Sequence, residues 1–204
     1  MLGGIKMKNY PDYYIKIIIY LIRVLFLFKG INYVIVKDFY FALISFSSII
    51  LTFFSFIYFK LFKKTLDNKL NLSFVLFLFI SLYLGTLDGF YKFTWWDTML
   101  HFVSGIILGF FSIDILKNLI KNKIFLKKVP KKFIFIYTLS FVALGCVLWE
   151  IYEFVIDSLF ILDMQGSIIT GVTDTMIDLI AGILGGILTG LFNCHKISKF
   201  INSN

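Results

Sequence analysis

The sequence predicts an all-α protein, a polytopic bundle of about six transmembrane helices forming one integral membrane domain over residues 1–204. Three observations carry that expectation. Hydrophobic residues make up 59% of the chain, and the mean hydropathy is +0.90, which is more apolar than a soluble domain of this size. Several stretches run about 20 residues with few charges, long enough to cross a hydrocarbon core of roughly 30 Å. Basic residues gather between those stretches rather than along them, the pattern that sets orientation in a bilayer. The same clustering accounts for the sequence pI of about 9.4 without invoking nucleic acid, for which no basic or aromatic motif is present.

The spans follow in order at 13–35, 38–59, 72–91, 97–116, 133–157 and 174–193. The first is interrupted by Arg23 and Lys29, whose long side chains are expected to snorkel toward water from a tilted helix. Asp38 and Lys60 flank the second. The third begins after Asn71, read as its N-cap, and ends near Gly89. The fourth opens with TWWDTMLHF, placing Trp95 and Trp96 at an interface. The fifth follows Pro130, Lys131 and Lys132, and the sixth starts at the cap-like pair Thr173–Asp174. The intervening segment 158–173 is too short to cross and reads as an outer loop or re-entrant turn, with Gln165–Gly166 placed to cover what lies beneath.

Lysines 60, 63, 64 and 69 fill one loop, and lysines 117, 121, 123, 127, 128, 131 and 132 fill another. Both loops are expected on the cytoplasmic side, as are both termini, leaving only Lys29, Lys37 and Lys92 outside. The N-terminal stretch lacks a small-residue cleavage site and is expected to stay attached. Cys146 and Cys194 form no disulfide framework.

Against this apolar background the acids stand out. Asp97 and His101 are spaced i, i+4 at the start of the fourth span, and Asp174 and Asp178 are spaced i, i+4 at the start of the sixth. Glu150, Glu153 and Asp157 run i, i+3, i+7 near the end of the fifth, so each set occupies one helix face. At a rise of 1.5 Å per residue, His101 and Asp178 lie about 6 Å below their partners and Glu150 about 10 Å below Asp157. Ionisable groups at such depth face a bundle interior or a wet cavity. Carboxylates crowded around one histidine repel, so either protons or a cation sit among them. Carboxylate oxygens with one imidazole suit Mg²⁺, Mn²⁺ or Zn²⁺. Candidate ligands are Asp97, His101, Glu150, Glu153 and Asp178. His101 or Glu150 is the candidate general base, Asp178 completes the catalytic set, and Gln165, Asp174 and Trp96 border a substrate. Any one of these residues alone could be an interhelical clamp, and Asp157 and Asp174 could be interfacial caps. His101, Glu150 and Asp178 together favour a shared cavity. Glycines 182, 186 and 190, and glycines 105 and 109, recur every four residues and predict close helix packing.

The series WWDTMLHFVSG, WEIYEF and QG followed by DTMIDLIAGILGG resembles the YjdF-like inner-membrane proteins of bacteria over the second half of the chain. More distantly it is similar to the VanZ-like family, whose members carry Asp-x-x-x-His, Glu-x-x-Gln and an Asp followed by Asn and glycines. On that pattern Asp97 and His101 fit the first element, Glu150 the second and Asp178 the third. Glu153 stands where the family has Gln, and Gly182 where it has Asn. The resemblance implies a bacterial cytoplasmic-membrane scaffold with a shared polar site, not a reaction. Three activities remain open: a metal-assisted hydrolase or transferase acting on a lipid-linked or amphipathic envelope molecule, a proton- or ion-coupled transporter, and a non-catalytic protein that binds an envelope lipid or antibiotic.

Overall fold

The computed structural model describes residues 10–120, 129–160, 164–166 and 170–202, and every regular element among them is helical. Six helical stretches are long and apolar enough to cross a membrane: Asp12–Ile35, Phe39–Phe62, Asn68–Leu87, Thr94–Leu119, Lys131–Leu159 and Val172–Cys194. The chain divides into two compact units, 1–89 and 90–204. Large apolar side chains lie exposed along the helices, among them Phe28, Leu43, Leu61, Leu144 and Phe154. That inverted surface is what a lipid-facing bundle requires, since lipid tails solvate such groups.

The first unit holds α1 (Tyr10–Ile35), α2 (Phe39–Leu51), α3 (Phe54–Phe62) and α4 (Asn68–Leu78), the last running on as a π-helix over Phe79–Leu87. Ile15, Ile19, Ile22 and Phe26 recur every three or four residues, so α1 turns one apolar face inward against Val75 and Leu87. One expectation changes here. The N-cap of the third span is Asp67, whose carboxylate accepts from the Lys69 and Leu70 amides, while Asn71 lies within α4. Arg23 and Lys29 both find polar partners within this unit. Lys29 pairs with Asp88 at 2.6 Å. Arg23 donates through Nε to Thr52 Oγ1 at 2.8 Å and through its terminal nitrogen to the Thr52 carbonyl at 3.1 Å, with its guanidinium 3.7 Å above the Phe53 ring. Thr52 and Phe53 form the break between α2 and α3, and the arginine supplies a donor to a carbonyl that the interrupted helix leaves spare.

The second unit holds a short 3₁₀ turn (Phe90–Lys92), α5 (Thr94–Leu119), α6 (Lys131–Phe160) and α7 (Val172–Asn202). Glycines set its packing. A β-carbon on Gly105 would collide with the Gly182 carbonyl, and one on Gly185 with the Phe102 carbonyl, so α5 and α7 touch backbone to backbone. On Gly182 a β-carbon would also strike the Cys146 sulfur of α6, and on Gly186 it would stand 2.8 Å from Val142 Cγ1. Three helices therefore meet at Gly105, Gly182 and Cys146. One turn from that layer, toward the N-termini of α5 and α7 and the C-terminus of α6, stand His101, Asp178 and Glu150.

Candidate functional site

Those neighbours form a buried cluster. His101, Glu150, Glu153 and Asp178 are each 3–5% exposed. The imidazole lies between carboxylates from all three helices: Nε2 is 3.8 Å from Asp97 Oδ1 and 4.0 Å from Asp178 Oδ2, and Nδ1 is 3.7 Å from Glu150 Oε1. All three separations exceed hydrogen-bond length. Both Glu150 oxygens and Asp178 Oδ1 are buried with no close hydrogen-bond partner, although the Thr175 and Gln165 side chains lie beside the Glu150 carboxylate. Leaving buried carboxylate oxygens bare is costly, about 1–3 kcal/mol per group and more when charged. Among the described residues no Lys or Arg pairs with any of the four acids. What the described residues lack around these acids is a lysine or arginine.

Two overlapping triples bring ligand atoms within 4.8 Å of one another: Asp97, His101 and Asp178; and His101, Glu150 and Glu153. A first-row divalent ion holds nitrogen and oxygen at about 2.0–2.2 Å, which puts neighbouring ligand atoms roughly 3–3.5 Å apart. The observed gaps are wider, 3.7–4.0 Å from the imidazole and up to 4.8 Å within a triple, so the side chains would draw in around an ion. The donor set and its spacing therefore fit a hard or borderline cation.

The remaining expected site residues surround this cluster in different roles. Gln165 donates from Nε2 to the Glu150 carbonyl at 3.3 Å and to Thr175 Oγ1 at 3.4 Å, so its side chain bridges α6 and α7 beside the acids. Asp174 lies in the first turn of α7 rather than capping it, and its carboxylate packs against Gly166, where any β-carbon would stand 2.5 Å from Oδ2. Gly166 also holds φ at +60°, a conformation glycine adopts without strain. Trp96 is buried and packs edge-on against Phe90 at 5.0 Å, with no acceptor for its indole N–H; Trp95 alone of the pair is exposed.

Three contributors were not legible in the sequence. Asp157, expected as an interfacial cap, instead accepts from the amides of Met164 at 2.8 Å and Gln165 at 3.0 Å, and so anchors the turn that carries Gln165. The indole of Trp149 donates to Glu153 Oε1 at 2.8 Å. Thr98 hydrogen-bonds Asp178. Only the Trp149–Glu153 pair left a trace, its i, i+4 spacing. The rest of the 158–173 segment, at 161–163 and 167–169, lies outside the described residues.

A family model described as a predicted membrane protein, DUF2238, matches residues 14–196. The chain belongs to the DUF2238 family. Membership extends over residues of both units, including the first spans, which lie outside the half of the chain that carries the YjdF-like motifs. The YjdF-like resemblance is consistent with DUF2238, and the VanZ-like one finds no support in these comparisons. The chain is also similar to an uncharacterised protein of Thermotoga maritima, 28% identical over 147 residues that cover 72% of this chain and 68% of that one. No solved structure matches.

Proposed function

We propose that this DUF2238 protein is a metal-assisted hydrolase or transferase of the bacterial cytoplasmic membrane. In this reading the site opens to the outer leaflet and acts on a lipid-linked or amphipathic envelope molecule. The observation that carries it is the set of bare, buried oxygens on Glu150 and Asp178 around His101, with no lysine or arginine among the described residues to balance them. A divalent ion would neutralise that charge, and in a dry pocket it would activate water or a substrate hydroxyl. His101 or Glu150 would take the proton, and Asp97, Glu153 and Asp178 would ligate or orient. In this reading Gln165, Asp174 and Trp96 would border the substrate.

Metal analysis of the purified protein tests this. One Mg²⁺, Mn²⁺ or Zn²⁺ per chain is expected, disappearing in His101→Ala and in Asp178→Asn. Metal-free protein whose thermal stability and activity are unchanged by all three ions would refute the proposal.

A second reading, a proton- or ion-coupled transporter, takes Glu150 and Asp178 as relay groups, and two features of the first unit favour it. The break at Thr52–Phe53 and the π-helix at Phe79–Leu87 are interruptions of the kind transporters place at membrane depth. Ion or proton flux in liposomes that vanishes in Glu150→Gln would favour it.

A further inference from the structure

Resting on the metal-site reading above, we infer a division of labour around His101: the ion sits on the Nε2 side, held by Nε2, Asp97 and Asp178, and Glu150 is a positioning residue at Nδ1 rather than a ligand. The two nitrogens of an imidazole point away from each other, so one ion engages one of them. The two triples that share His101 are therefore alternatives.

Rigidity favours the Nε2 side. Asp97 and His101 stand i, i+4 on α5, a two-point grip that a single helix holds in place. Asp178 comes from α7, which meets α5 backbone to backbone at Gly105 and Gly182, one turn away. The same helix pair thus fixes all three ligand atoms. In the other triple, one Glu153 oxygen is already taken by the Trp149 indole at 2.8 Å. That leaves Glu150 Oε1, 3.7 Å from Nδ1, as the natural acceptor for an Nδ1–H. A carboxylate there fixes the tautomer and aims the Nε2 lone pair at the ion.

One nitrogen and two carboxylates leave coordination positions open for water and a substrate oxygen, the pattern of a catalytic rather than a structural site. The imidazole favours Mn²⁺ or Zn²⁺ over Mg²⁺.

The test compares metal titrations of the full-length wild type and of Asp97→Asn, Asp178→Asn and Glu150→Gln, each first checked for native thermal unfolding. The wild type and Glu150→Gln are expected to bind one Zn²⁺ or Mn²⁺ per chain, the variant about 10–100-fold more weakly. Asp97→Asn and Asp178→Asn should lose stoichiometric binding. A wild-type measurement stands beside these: with ¹⁵N-labelled histidine and bound ¹¹³Cd²⁺, the metal coupling should appear on Nε2 of His101. Coupling on Nδ1, or binding abolished by Glu150→Gln but kept by Asp97→Asn, overturns the division while leaving the metal site standing. A wild type that binds no ion overturns both.

Discussion

Arg23 lies in the middle of an apolar helix, and the physical question is what makes it tolerable there. Its guanidinium meets the side-chain and main-chain oxygens of Thr52 and the face of Phe53. Arg23→Met should therefore leave the Thr52 carbonyl unsatisfied and lower stability by about 1–3 kcal/mol, read as a fall in the unfolding midpoint in detergent. Arg23→Lys should recover part of that loss, because lysine can reach one acceptor but has no planar fork. Asp157 makes a comparable local argument. Its two oxygens hold the Met164 and Gln165 amides, so Asp157→Ala should speed hydrogen exchange at those amides with little change in global unfolding. Unchanged exchange there would mean that the turn is held by something else.

Between helices, the site depends on glycine. The close approach of Gly105 to Gly182 sets the spacing at which His101 and Asp178 face one another. Gly105→Leu should force α5 and α7 apart, cost about 1–3 kcal/mol through overpacking, and abolish metal binding although no ligand has changed. Gly145→Ala is a milder control, since its methyl would meet the end of the flexible Leu108 side chain. Stoichiometric metal in a folded Gly105→Leu variant would show that the glycine seam does not position the ligands. The four-residue glycine repeat was visible in the sequence, because backbone contact needs small residues at that period. Which glycine meets which was not visible, because register between helices depends on three-dimensional packing.

For the whole molecule, the span count and the family agree on a protein embedded in the bilayer. The proposed orientation puts the acidic ends outside, following the lysine-rich loops. A Met164→Cys probe should accordingly be labelled by an impermeant thiol reagent from the outer face. Labelling only from the cytoplasmic face would invert the layout.

The sequence by itself determined the helical class, the six spans and the separate faces bearing Asp97 and His101, Glu150 and Glu153, and Asp174 and Asp178. Hydropathy and the helical period are local properties, readable one segment at a time. Tertiary structure alone decided that His101 stands among acids from three helices, that Arg23 meets Thr52 and Lys29 meets Asp88, and that Asp157 anchors the turn carrying Gln165. Each is a contact between residues distant or displaced in the chain. Such contacts are fixed by how closely glycine lets two backbones approach and by where a buried polar group finds its partner, neither of which is encoded within a single segment.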